Sequence, residues 1–221
     1  MTTMTRRAWM AHLAAGGTAL ALGTGRLREA LAADAVKKGV ARVRGEATIA
    51  GRPAKPGMEV KPDDVVTTGR DGQLVFVVGR DAFLARSHSR IELSGAAGAA
   101  ISGLRIVTGA LLSVFESGGG RRIQTSTATI GIRGTGIYIE VEKGRTYACT
   151  CYGEAELTPV DEPKEAETVR TTHHDQPRYI YAKGMPRMIE TAPVINHTDA
   201  ELTLLESLVG RTVPFDSRRY P

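Results

Sequence analysis

The sequence predicts an all-β fold, and three observations carry that expectation. After Lys37-Lys38, short runs rich in Val, Ile, Thr and Leu recur between Gly, Pro and Asp turns, at intervals typical of all-β domains. Glycine is abundant at 25 residues while aromatics make up only 5%, a balance that suits tight turns and slender strands better than a helical bundle. Ile137, Ile139 and Val141 alternate with Tyr138 and Glu140, the period of two that gives a strand one buried and one wet face. The expected architecture is a compact multi-stranded β domain, sandwich- or solenoid-like, over residues 39–158, followed by an extension over 159–221 containing one α-helix.

The first strand-like run is Val40 to Ile49, and the turn-rich Arg52-Pro-Ala-Lys-Pro-Gly-Met58 follows it. Asp63-Asp-Val-Val-Thr-Thr68 leads into Gly69-Arg-Asp-Gly72, whose Asp-Gly pair suits positive backbone angles. Gln73–Val78 and Phe83–Arg86 read as successive strands. Ser94 to Ile101 is Gly/Ala-rich with few anchoring side chains, which predicts a flexible loop. Strand patterns then resume at Leu104–Thr108, Ala110–Phe115, Arg122–Ser126, Thr129–Ile132, Gly136–Val141, Arg145–Cys151 and Ala155–Thr158. Gly118-Gly-Gly-Arg-Arg122 reads as a hairpin loop carrying solvated arginines. Beyond the acidic link Asp161–Glu167, Thr198 and Glu201 have capping-box spacing, Leu202, Leu205, Leu208 and Val209 share a face, and Gly210 supplies a stop. This predicts a helix over about 199–209 that packs its leucine face on the β domain, because so short a helix is marginal alone in water.

The opening run carries an address. Arg6-Arg7 precede a weakly apolar stretch from Ala11 to Gly25, then Arg26-Leu-Arg-Glu29 and the small-residue site Ala30-Leu-Ala32. Thr5-Arg-Arg-Ala-Trp-Met10 resembles the twin-arginine export consensus, which implies a chain that folds in the cytoplasm, is cleaved after Ala32 and works in the periplasm. The apolar stretch is shorter than the roughly 20 residues a membrane span requires, and no later stretch reaches that length. Residues 1–32 hold Arg6, Arg7, Arg26 and Arg28 against Glu29, a net +3 of the formal +5, so the mature chain beyond a short 33–38 linker carries only about +2. No strong field for nucleic acid or anionic lipid survives.

Val43-Arg-Gly-Glu46, Pro56-Gly57, Asp63–Gly69 and Gly72-Gln-Leu-Val-Phe76 resemble the first half of the FecR domain. Its second half resembles Leu104–Leu111, Ile123-Gln-Thr125, Ile132–Glu140 and Cys151-Tyr-Gly-Glu-Ala155. Gly134-Thr-Gly136 precedes a strand where a phosphate-binding glycine loop would open a helix. The resemblance implies an all-β periplasmic module that binds something and has no known chemistry. Well-known members relay a signal from an outer-membrane receptor to a sigma factor through a sigma-binding segment and one membrane span. An export signal stands here in place of both.

The chemistry-bearing residues are few. Cys149-Thr-Cys151 puts two thiols on one face of a strand with Cα atoms about 6.6 Å apart, near the upper limit for a disulfide. Without a third cysteine, an oxidising compartment leaves a strained bridge, a metal, or two small buried residues as the alternatives. His173, His174 and His197 are the candidate partners of Cys149 and Cys151 in a zinc or copper site. His173-His-Asp175 has no nucleophile motif beside it and reads as a polar turn before Pro177. Asn196-His-Thr198 has the form of a glycosylation acceptor and reads instead as the helix cap. The expected function is therefore a non-enzymatic periplasmic binding or signalling-accessory module without a cofactor, its partner an envelope protein such as an outer-membrane receptor. The alternative is a periplasmic metal or thiol-redox protein centred on the cysteine pair.

Overall fold

Among the residues described by the computed structural model, 38–96 and 101–216, fourteen strands hydrogen-bond into one branching, almost wholly antiparallel sheet. The expected export signal, with Arg6, Arg7 and Ala32, lies outside the described residues. The strands are β1 (Gly39–Arg44), β2 (Ala47–Ile49), β3 (Arg52–Pro53), β4 (Val65–Thr68), β5 (Gln73–Val78), β6 (Asp81–Ala85) and β7 (Arg90–Gly95). They continue as β8 (Ile101–Val114), β9 (Arg121–Gln124), β10 (Ala128–Glu142), β11 (Arg145–Pro159), β12 (Glu167–Thr171), β13 (Arg178–Tyr181) and β14 (Ile189–Thr191). The helix α1 spans Asp199–Leu208. Among the described residues the fold is all-β with one α-helix near the C-terminal end, as the sequence predicts.

Three long strands build the branching. The first part of β8 pairs with β7 and runs parallel to β9, while its last residues pair with β6 and β10. Likewise β11 pairs with β13 through residues 145–148 and with β12 through residues 153–157. Each long strand therefore belongs to two arms. The sequence splits them into separate short strands because a glycine interrupts each apolar pattern. At Gly109, where β8 passes between arms, φ is +79°, and an added Cβ would meet the backbone of His88 and Ser89. The bend keeps hydrogen bonding continuous where the hydrophobic alternation breaks.

The arms enclose one core that includes Val66, Ile91 and Ile106 from one side and Phe76, Phe83 and Ile137 from the other. Strand β5 alternates: Leu74, Phe76 and Val78 face that core, while Val75 and Val77 face a second apolar layer on the outer side. This explains its uninterrupted apolar run, the signature of a strand buried on both faces. The second layer also contains Leu84, Leu112, Tyr138, Tyr147, Cys149 and Cys151, together with Leu202, Leu205 and Val209 from the helix region. Burying each large aliphatic side chain contributes about 1.5–3 kcal/mol.

Several expectations change in detail. Val40–Ile49 divides into β1 and β2 at Gly45, where φ is +60°. Gly72 does not adopt a positive φ; glycine is needed there because the Glu46 carbonyl occupies the place of a Cβ. The expected loop over Ser94–Ile101 loses Ser94 and Gly95 to β7 and Ile101 to β8, and residues 97–100 are outside the description. The Gly118–Arg122 segment joins β8 to β9, which runs parallel to the start of β8, so it is not a hairpin loop. Arg121 is not solvated either: its Nε donates to buried Asp81 at 3.0 Å. The extension beyond residue 159 adds β12, β13 and β14 to the sheet as well as the helix. No helix among the described residues is long and apolar enough to cross a membrane.

Candidate metal centre

Strand alternation puts Cys149 and Cys151 on the same face of β11, the outer face beneath the helix, with both residues fully buried. Both sulfurs are free thiols in this structure. The turn after β12 brings His174 over them. Its backbone adopts φ +47°, its N–H donates to the Cys151 carbonyl at 2.9 Å, and its Nδ1 lies 3.5 Å from the Cys149 sulfur. Asp175 holds this turn by accepting from the backbone N–H groups of Thr172 and His173, so the sequence's polar-turn reading of that residue stands. His197 arrives from the opposite side, on the segment leading into α1. Its ring stacks on Tyr138 at 4.7 Å and 18°, and its Nε2 lies 2.9 Å from His174 Nδ1.

Ligand atoms of Cys149, Cys151, His174 and His197 all lie within 4.8 Å of one another. Of the five candidates named from the sequence, four converge and His173 does not join them. His173 Nε2 turns instead to Asp199 Oδ2 at 2.8 Å, and a second donor group, His173, His174 and Asp199, forms beside the first. The missing residue in the sequence reading is Asp199. It stands at the first position of α1 and looks there like an ordinary acidic residue favouring the helix dipole.

The partners fix the tautomers. The Ile195 carbonyl faces His197 Nδ1 at 2.6 Å and can only accept, so that nitrogen carries the hydrogen and Nε2 presents a lone pair. The Asp199 carboxylate faces His174 Nε2 at 3.0 Å, so in its neutral form His174 presents a lone pair at Nδ1. His174 Nδ1 and His197 Nε2 thus turn toward each other beside the Cys149 sulfur, the inward nitrogens that a cation would take in place of a shared proton. Tetrahedral zinc would space sulfur and nitrogen ligands about 3.6 Å apart and two nitrogens about 3.3 Å apart. The observed 3.5 Å and 2.9 Å come close to that geometry.

The electrostatics agree. A hydrogen bond from Cys151 is the largest influence on Cys149; with help from His174 and His197 it outweighs burial and lowers the thiol to about 4. Burial, then the neighbouring Cys149, pushes Cys151 well up. Burial lowers His174, but its bonds to Cys149 and Asp199 win and raise it. The cluster is thus a buried set of soft and borderline donors, the kind that zinc and copper ions take.

Cys149, His174 and Asp199 also stand in the order of a thiol–imidazole–carboxylate nucleophile. The sulfur is fully buried, however, and the neighbouring cleft of about 570 Å³ is lined by His173, His174, Asp175, Val194, His197, Thr198, Asp199 and Ala200, with no cysteine.

The helix segment is fastened around the site. Thr198 caps α1 through a capping box with Glu201, as its spacing predicts. Arg86, on the sheet side, binds both Glu201 carboxylate oxygens at 2.7 and 2.8 Å and the Asn196 carbonyl at 2.7 Å. Asn196 donates to Glu140 at 2.8 Å, and Tyr147 donates to the Pro193 carbonyl at 2.9 Å.

No protein-family profile matches the sequence, and no curated protein matches it. Two crystal structures of a proposed anti-sigma factor from Parabacteroides distasonis, at 2.50 and 1.65 Å resolution, are similar to parts of the chain. Each has 8% identity and a TM-score of 0.47, and each alignment covers 58% of this chain and 58% of the other.

Proposed function

We propose that this chain is an exported metal-binding module: a FecR-like β domain whose C-terminal extension completes a Cys₂His₂ site for zinc or copper(I). The observation that carries the reading is the convergence of His174 Nδ1 and His197 Nε2, 2.9 Å apart, beside the Cys149 sulfur, with the outer nitrogen of each ring already bonded to Asp199 or the Ile195 carbonyl. Such oriented histidines are how proteins present imidazole to a metal, since the outer partner fixes the tautomer and raises ligand basicity. Four protein ligands close the coordination shell, which suits a structural or sensing ion more than a catalytic one. Two cysteine sulfurs favour zinc or copper(I) over harder cations. The opening Arg6-Arg7 signal gives a reason to load such a site early, because the twin-arginine route carries folded proteins and a cytoplasmic ion would travel inside the fold. In the envelope the module serves as a binding or signalling accessory rather than as an enzyme, with an envelope protein as its partner.

Native mass spectrometry of the chain purified from the periplasm tests this. The expected result is one zinc or copper ion per chain, lost in Cys149→Ser/Cys151→Ser and in His197→Ala. A metal-free protein two mass units below its reduced form would replace the reading with a Cys149–Cys151 disulfide. A metal-free, fully reduced protein that also fails to take up added zinc would leave the imidazoles sharing a proton beside the thiolate.

A further inference from the structure

The structure assigns to this site a second role, which rests on the metal reading: the ion is a latch that holds the C-terminal segment 193–216 on the outer face of the sheet. Cys149, Cys151 and His174 belong to the sheet and its β12 turn, whereas His197 belongs to the docked segment. The sheet side alone provides three donors. The fourth arrives only when the segment lies down with Tyr138 stacked under His197 and Asp199 bonded to His174. An ion that binds four donors better than three therefore binds the docked state better, and it stabilises that state by its differential affinity.

What the latch holds is a cooperative unit. Immediately beyond His197 and Asp199, α1 buries Leu202 and Leu205, and Val209 follows them onto the layer containing Val75, Val77, Leu84 and Leu112. A helix of 10 residues is too short to persist by itself in water, so an undocked segment is an unfolded one. Metal release therefore acts as an order–disorder switch that uncovers the outer apolar layer, and metal uptake restores the cover.

Linkage makes this testable away from the ligands. Arg86 touches no metal donor but clamps Glu201 and the Asn196 carbonyl. If docking and metal binding are coupled, Arg86→Ala must weaken metal binding through the docking equilibrium, and by reciprocity metal must raise the protection of the whole segment. Amide hydrogen exchange of the full chain, with zinc and after chelation, is the measurement, with native mass spectrometry recording occupancy. The expected result is protection rising at least about tenfold through 202–209 as well as 195–199, with β10 and the 153–157 part of β11 unchanged, and zinc affinity falling about tenfold in Arg86→Ala. Leu205→Ala, a second substitution outside the ligand set, should weaken zinc binding in the same direction. One result overturns the latch alone: zinc binds, but 202–209 exchanges at the same rate with and without it and both variants keep wild-type affinity. Failure of the wild-type chain to bind zinc overturns the latch together with the metal reading.

Discussion

His174 Nε2 lies 3.0 Å from Asp199 Oδ1, an imidazole–carboxylate hydrogen bond that joins the β12 turn to the first residue of the helix. It does two jobs with one contact. It sets the His174 tautomer so that Nδ1 faces the sulfurs, and it ties the helix to the part of the sheet that holds the thiols.

Removing that carboxylate should cost metal affinity without removing a ligand. Outer partners of metal-bound histidines typically contribute 10–100-fold to affinity, so Asp199→Ala should weaken zinc binding about 10–100-fold while one ion per chain still binds at saturation. Titration against a calibrated chelator measures this. An unchanged dissociation constant would mean that Asp199 does not orient the histidine.

His173 and His174 are adjacent in sequence and separate in role. The His173 ring meets Phe215 at 4.7 Å and directs Nε2 to the other oxygen of Asp199, away from the sulfurs. In His173→Ala the His174–Asp199 bond survives, so metal affinity should fall by well under the tenfold typical of a lost orienting partner. His174→Ala should abolish tight binding. Equal loss in the two variants, by the same titration, would put His173 among the ligands.

The other end of the helix carries a buried ion pair. Glu206 is 3% exposed, accepts from the Tyr152 hydroxyl, and receives Arg211 Nε at 2.5 Å; Arg211 also reaches the Arg80 carbonyl at 2.6 Å. Arg211→Ala would leave the carboxylate buried without its cation. Breaking one side of a buried pair typically costs 3–5 kcal/mol, so a loss of about 3 kcal/mol is expected in urea unfolding. Glu206→Gln/Arg211→Met should recover part of it by removing both charges, and a double variant less stable than the single one would contradict this account.

The capping box, the leucine face and the shared face of Cys149 and Cys151 are legible in the sequence because each is a local spacing rule acting within one element. The set of metal candidates is legible by elimination, the chain having so few soft donors. The choice between His173 and His174 is not, because it depends on a turn in which His174 adopts a positive φ, a conformation that its identity does not announce. Asp199 and Arg86 are hidden for a related reason: their partners lie 25 and 115 residues away, and an acid at a helix start or an arginine after a strand already has an ordinary local explanation. The long strands are obscured by glycines such as Gly109, which end an apolar pattern without ending the strand.

Asp81 gives the fold a pH signature independent of the metal centre. Its side chain is fully buried at the start of β6, where it accepts the Glu116 N–H at 2.8 Å and Arg121 Nε at 3.0 Å. Burial is the largest influence and outweighs both bonds, so the carboxyl is raised above its ordinary 3.8. The sign follows from proton uptake. Above the raised value both folded and unfolded chains are ionised, and the fold bears the full cost of the buried charge. As pH falls through that value the folded chain takes up a proton that the unfolded chain does not yet bind, so Asp81 contributes increasing stability until about 3.8, below which both are protonated. Asp81→Asn removes this component and leaves the other carboxylates in place. The stability of wild type minus that of Asp81→Asn should therefore increase as pH is lowered from neutral toward 4, measured by urea unfolding across a pH series. A difference that stays flat or shrinks would show that the Arg121 pairing, not burial, controls this carboxyl.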